Sequence, residues 1–208
     1  MRRIRTALSQ LAFERRYNVR TAEKIPLADL GIAAEGRGYY VAARWRTLRR
    51  TLSRREIGAR DVFVDFGSGM GRMVLEAARF PFGRVIGVEL SPQLHEIALS
   101  NLRTTRQCLR CPQVDLVCED VLGFEIPDDV SVVFFNNPFQ GEVFTEVIDR
   151  LVGTVDRNPR QIKVIYYNPV EQQTLLDTGR AHLLRTLTHA RKRVAGEPFG
   201  LTNVYALS

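Results

Sequence analysis

From about residue 60 onward, short apolar runs alternate with stretches of helical periodicity. Val62-Phe63-Val64-Asp65-Phe66 carries one charge in five residues and reads as a strand covered on both faces. Similar runs place strands over 84–90, 113–118, 130–135 and 161–167. Helices are expected over 72–80, from Ser91 to about Arg106, and over 141–152 and 170–178. Ser91 suits the N-cap of the second of these and Pro92 its first turn. Two more strands, near 183–190 and 201–207, are joined through Gly196, Pro198 and Gly200 and read as a hairpin, so one of them runs antiparallel. Strands and helices in this alternation build βαβ units with right-handed crossovers, hence an α/β, doubly wound, mostly parallel sheet. Ligands of such a sheet bind beyond the carboxyl ends of its strands, where the strand order reverses.

Before residue 60 the pattern differs. Residues 1–60 hold 15 Lys+Arg against 5 Asp+Glu, whereas residues 61–208 hold 15 against 18, so the net charge of +7 comes from the first segment. A basic segment of this kind suits a nucleic acid or an acidic surface. Of the 30 basic residues 27 are Arg, and a coding bias toward arginine is the competing explanation. Leu8, Leu11 and Ala12 give the first helix an apolar stripe. After a breaker at Gly36-Arg37-Gly38, the recurrence of Tyr40, Ala43, Thr47, Leu48 and Leu52 predicts one helix over 39–56. The chain thus divides into a basic helical extension, residues 1–56, and an α/β domain, residues 57–208.

Several classes are disfavoured. No apolar run approaches the ~18–20 residues of a membrane helix. The basic start, Met1-Arg2-Arg3-Ile4-Arg5, is followed by an apolar stretch broken by Ser9, Gln10 and Glu14, unlike a secretory signal. Three cysteines make no disulfide framework, and a reducing, cytoplasmic location is expected. One Cys108-x-x-Cys111 with scattered His95, His182 and His189 falls short of a four-ligand zinc site, so no metal is expected.

The loop after the first strand of the sheet is Asp65-Phe66-Gly67-Ser68-Gly69-Met70-Gly71. Three alternate glycines allow a sharp turn and close approach of backbone to a ligand. The order is G-x-G-x-G with Arg72 next, so neither a dinucleotide fingerprint nor a P-loop is present. Glu89 closes the second strand, 24 positions after Asp65. An acid there can accept hydrogen bonds from ribose hydroxyls; a solvated strand end is the other reading. Asp120, followed by Val121, ends the third strand and either meets a base or caps a turn.

Taken together, Val64 to Gly71, Val88-Glu89, Glu119-Asp120-Val121 and Phe135-Asn136-Asn137-Pro138-Phe139 resemble the class I S-adenosylmethionine-dependent methyltransferases. The resemblance covers about residues 55–208, and within that family the chain is similar to small bacterial methyltransferases distantly similar to Dot1-like enzymes. The resemblance implies a Rossmann-like, seven-stranded sheet with an antiparallel final strand and S-adenosyl-L-methionine as cofactor. It implies that Asp65, Gly67, Ser68, Gly69 and Gly71 hold the methionine end, Glu89 the ribose, and Asp120 with Val121 the adenine. In this fold a segment before the first strand often lids the cofactor, a role that falls here to the extension and its Tyr39 and Tyr40.

Asn136-Asn137-Pro138-Phe139 resembles the Asn/Asp-Pro-Pro-Tyr/Phe motif of amino-group methyltransferases, with Asn137 in place of the first proline. By that resemblance the amide accepts from a target amine and the ring stacks on a planar substrate; a plain turn is the alternative. No His or Lys in this loop offers a general base, which favours a nitrogen acceptor on a protein, nucleic acid or small molecule. Tyr166 and Tyr167 are expected in the core, and Asn168-Pro169 in a turn. The competing functions are a nucleotide-binding Rossmann-like module, and a nucleic-acid-binding protein without methyl transfer.

Overall fold

The computed structural model describes residues 2–31, 39–188 and 200–208, with side chains from Gln10 onward except those of Leu27 and Tyr39. The breaker Gly36-Arg37-Gly38, the hairpin residues Gly196 and Pro198, and the side chains of Leu8 and Tyr39 lie outside the described residues.

Helix α1, Arg2–Tyr17, leads to a small antiparallel pair of β1, Ile25–Pro26, and β2, Tyr39–Tyr40, and then to a short helix α2, Thr47–Thr51. The main sheet follows: β3 Val62–Phe66, α3 Arg72–Ala77, β4 Arg84–Glu89, α4 Pro92–Thr104, β5 Gln113–Cys118, β6 Val130–Phe135, α5 Glu142–Arg157, β7 Ile162–Tyr167, α6 Gln172–Asp177, β8 Ala181–Thr188 and β9 Leu201–Leu207. Its order is β5-β4-β3-β6-β7-β9-β8. Five strands run parallel, and β9 is antiparallel to both β7 and β8. The order reverses between β3 and β6, so the loops after these two strands face each other across the switch point.

Both faces of the sheet are covered. Val62, Val64, Phe66, Ile86, Val88, Val133 and Phe135 pack on Phe144, Val147, Ile148 and Leu151 of α5. Phe63, Val85, Val132, Phe134 and Ile165 pack on the opposite side with Leu48, Leu52, Met73 and Val74. Full burial of such a side chain contributes about 1.5–3 kcal/mol, so these two layers dominate the stability. Helix α5 continues past the expected residue 152 because Thr154 and Val155 extend its buried stripe. Ser91 caps α4 as expected, its Oγ accepting the Leu94 N–H at 3.3 Å.

The helix expected over 39–56 is not formed. Its first residues join the β1/β2 pair instead, and only Thr47–Thr51 are helical. Ala43, Trp45, Leu48 and Leu52 are buried all the same, so the spacing recorded packing and not a helix. The buried Glu76 carboxylate accepts the N–H groups of Arg46 and of Leu48, the latter at 3.1 Å. It thereby supplies partners for donors that open the short α2. Helix α1 also departs from expectation, for Leu11 is 50% exposed. Phe13 and Tyr17 supply its inward face, with ring centroids 6.0 and 5.3 Å from Trp45.

The extension is fastened to the α/β domain by polar clamps. Arg72, buried at the start of α3, donates from Nε to Thr21 Oγ1 at 2.8 Å and from Nη1 to Gln10 Oε1 and the Ala43 carbonyl, each at 2.7 Å. Its guanidinium also stands 5.0 Å over the Trp45 ring. Asn101 of α4 accepts the Arg20 N–H at 2.7 Å and donates to the Arg20 and Met70 carbonyls at 2.8 and 2.9 Å. Met70 lies in the glycine loop, so α4 ties the extension and that loop together.

Candidate cofactor and acceptor site

Gly67, Gly69 and Gly71 have φ of 73°, 55° and 81°. A side chain in this left-handed region is strained, so the alternate glycines are what lets β3 turn into α3 here. The N–H groups of Gly67 and Ser68 both donate to the Val88 carbonyl at 2.9 Å, which pins the loop against β4. The space a Cβ would need is already filled at two positions. On Gly67 it would lie 2.3 Å from Pro138 Cβ, and on Gly69 2.2 Å from Cε2 of Tyr40.

Asp65 and Glu89 end up side by side under this loop. Asp65 is 3% exposed, and burial, reinforced by Glu89, holds its carboxyl well above the usual range. Glu89 is 6% exposed, and burial raises it as well. The solvated strand end is therefore ruled out for Glu89. Its two oxygens accept the N–H groups of Gly69 at 2.7 Å and Ser91 at 2.9 Å. Ser68 Oγ is buried with no hydrogen-bond partner in the protein.

Asp120 is joined to this group through the Glu119 N–H, which donates to the Glu89 carbonyl at 3.0 Å. Its own carboxylate is exposed and accepts the Leu122 N–H at 2.9 Å, an ordinary turn cap. Val121 is buried in the core below, and Arg150 of α5 donates to its carbonyl at 3.0 Å.

Across the switch point, Asn136 Nδ2 donates to the Val41 carbonyl at 2.9 Å, which links the β6 loop to the extension. Asn137 is buried with φ 48°, and its Oδ1 accepts the Val170 N–H at 3.5 Å. Pro138 covers Gly67. Phe139 is half-buried and packs edge-on against Phe135 at 6.1 Å, with Phe144 6.2 Å away. Its ring is part of the aromatic layer under the loop.

Tyr40, on the extension, faces the glycine loop: its hydroxyl accepts the Met70 N–H at 3.4 Å, and burial raises its pKa strongly. Tyr166 is fully buried and accepts the Glu171 N–H at 3.2 Å. Tyr167 is buried too and accepts the Arg44 N–H. Asn168, at φ 52°, accepts the Gly200 N–H at 2.7 Å in the expected turn. Sequence reasoning did not find Arg72 or Asn101 as clamps. A signal existed for Asn101, a poor helix former on the buried stripe of an amphipathic helix.

Residues 63–158 match a family model described as a methyltransferase domain. The seven-stranded sheet and its strand order are those of the Rossmann-like α/β methyltransferase fold. Solved structures share this fold. An RNA methyltransferase from Salinibacter ruber, in complex with S-adenosyl-L-homocysteine, is 22% identical with a TM-score of 0.50, over 80% of this chain and 92% of that one. Precorrin 8W decarboxylase from Methanobacterium thermoautotrophicum is 20% identical with a TM-score of 0.57, over 81% and 92% of the two chains. Precorrin-6y C5,15-methyltransferase from Geobacter metallireducens is 19% identical with a TM-score of 0.54, over 88% and 97%. No curated protein matches the chain in sequence. Among the described residues no helix is long and apolar enough to cross a membrane.

Proposed function

We propose that the protein transfers a methyl group from S-adenosylmethionine to a nitrogen acceptor offered at the β6 loop. The observation that carries this reading is the pair of buried carboxylates, Asp65 and Glu89, beneath a left-handed glycine loop. Two acids repel a pyrophosphate but suit a ligand with an ammonium group and ribose hydroxyls. The unpartnered Ser68 Oγ fits the same ligand, since a buried hydroxyl without a partner is costly unless something binds it.

In this reading Asp65, Gly67, Ser68, Gly69 and Gly71 hold the methionine end, Glu89 the ribose, and Asp120 with Val121 the adenine side. The extension, residues 1–56, acts as the roof of the site through Tyr40, and residues 57–208 form the catalytic domain. When bound, the cofactor supplies an electrophilic sulfonium methyl group. The protein's task is then to align a neutral nitrogen with that methyl and to exclude water. Asn136, oriented by its bond to Val41, accepts an N–H of the acceptor, and Asn137 and Pro138 set the loop's shape. Phe139 stiffens it from below.

Thermal unfolding tests the cofactor. S-adenosylmethionine or S-adenosylhomocysteine raises the melting temperature by mass action, and NAD or ATP does so far less. An equal shift from NAD would overturn the assignment. The acceptor is found by incubating the enzyme with isotope-labelled cofactor and cell extract and reading the labelled product by mass spectrometry.

A further inference from the structure

Exposed arginines of the extension have basic neighbours from the α/β domain. Arg110 is brought against the end of α3 by its N–H, which donates to the Ala78 carbonyl at 2.7 Å. Arg79 follows directly and lies 5.4 Å over the Tyr17 ring. Arg46 lies 5.4 Å over the Phe13 ring, and both rings rest on Trp45. Arg49 and Arg54 are exposed on and just after α2. Arg54 has Arg110, Arg49 and Arg79 as its electrostatic neighbours. Five guanidiniums from three parts of the chain therefore form one ridge. It runs from beside the segment that roofs the glycine loop to the end of the sheet where the strands begin.

None of these five makes an ion pair among the described residues. The acids of the same region are engaged elsewhere. Glu14 bonds Thr21 and faces Arg72, Glu76 binds backbone N–H groups of Arg46 and Leu48, and Glu56 pairs with Lys163 at 2.7 Å. The buried Glu76 is an electrostatic neighbour of Arg79 alone among the five guanidiniums, and the exposed ones repel one another, which works against folding and lowers the Arg54 pKa. A polyanion relieves that repulsion and releases counterions as it binds.

We propose that this arginine ridge binds the phosphate backbone of a nucleic-acid strand. A single phosphate or nucleotide calls for donors converging on a pocket, whereas these are strung along an exposed line. The rings of Phe13 and Tyr17 are already covered by Arg46 and Arg79, so the ridge grips phosphates and does not read bases. Among the described residues no hydrogen bond or ion pair joins Arg49, Arg54 or Arg110 to the glycine loop, so this binding and the proposed methyl transfer stand or fall separately.

Fluorescence anisotropy with a labelled oligouridine tests the ridge. The wild-type protein binds at low salt, with affinity falling steeply as salt rises. The triple variant Arg49→Gln/Arg54→Gln/Arg110→Gln binds at least tenfold more weakly, and its log–log salt slope is shallower by about two units, at ~0.7 per lost phosphate contact. Its melting temperature is at or above that of the wild type, and the rise caused by S-adenosylhomocysteine is unchanged, which shows that the fold and the cofactor site are intact. Arg103→Gln, on α4, leaves the affinity unchanged. Absence of wild-type binding at low salt, or a triple variant with wild-type affinity and slope, overturns the proposal. So does sedimentation with phosphatidylserine vesicles without binding of oligouridine, which assigns the ridge to a membrane surface.

Discussion

The ring of Tyr40 occupies the place where a side chain on residue 69 would stand, its Cε2 only 2.2 Å from an ideal Cβ on Gly69. The extension and the glycine loop are thus fitted to each other at one atom's width. Gly69→Ala meets this ring and a φ of 55° together. Left-handed backbone costs a non-glycine residue about 1–2 kcal/mol, and overpacking adds about 1–3 kcal/mol. Denaturant titration of Gly69→Ala therefore shows a loss of several kcal/mol. The double variant Gly69→Ala/Tyr40→Ala recovers the steric part, and full additivity of the two changes would show that the contact is slack.

Glu89→Ala leaves the N–H groups of Gly69 and Ser91 without acceptors. Each such buried donor costs about 1–3 kcal/mol. The variant is expected to be less stable without any ligand, and also to bind S-adenosylhomocysteine more weakly in calorimetry. Glu89→Gln keeps one acceptor oxygen, so it recovers part of the stability. A ligand-free melting temperature equal to wild type for Glu89→Ala would contradict the bonding described.

Glu76 makes stability depend on pH. Burial pushes its carboxyl up from 4.5 in the unfolded chain to about 7. The folded state then holds the proton more tightly, so Glu76's contribution is fully present below about 4.5 and is lost as pH rises through about 7. Burial raises Asp65 and Glu89 in the same direction. Glu56 and Asp128 are shifted the opposite way, but both are exposed and screened. Stability is expected to fall between pH 5 and pH 8 on the order of 2–3 kcal/mol through Glu76. Glu76→Gln flattens that slope; an unchanged slope would remove Glu76 as its source.

Asn136→Ala cuts the bond to the Val41 carbonyl. Limited proteolysis should then open the chain near residues 39–46, while the sheet stays protected. Turnover on the acceptor found by labelling should fall by ~10²-fold, the scale on which misplaced reactants lose rate. Asn136→Asp keeps the shape but sets a carboxylate against the Val41 carbonyl, so it should release the segment at least as readily. Wild-type turnover in Asn136→Ala would make the β6 loop structural only.

The sheet was legible in the sequence where local signals agree with burial. The runs at 62–66 and 130–135 match β3 and β6 at both ends, and Ser91-Pro92 opens α4 as its cap chemistry requires. The segment 39–56 was not legible in the same way. Its apolar residues recur at helical spacing, but Glu76, distant in sequence, takes its N–H groups, and β1 takes its first two residues. In the site, the glycine loop and its two acids could be picked out by spacing. That Glu89 would be buried and bonded to Gly69 could not, because it depends on how far the loop folds back over β4. The roles of Arg72 and Asn101 as clamps depend on partners in the extension, which no local pattern names.

The seating of Pro138 on Gly67 has a consequence for descent. With any side chain at 67 the residue at 138 must move, because the clash is with its Cβ, an atom that every residue but glycine carries. The constraint runs one way: 138 can change while 67 stays glycine, but 67 cannot gain a side chain while the two loops keep this approach. Among related sequences, glycine at 67 should therefore persist whatever stands at 138, although the two lie 71 positions apart along the chain. Relatives with a side chain at 67 would be ones in which the two loops approach each other differently.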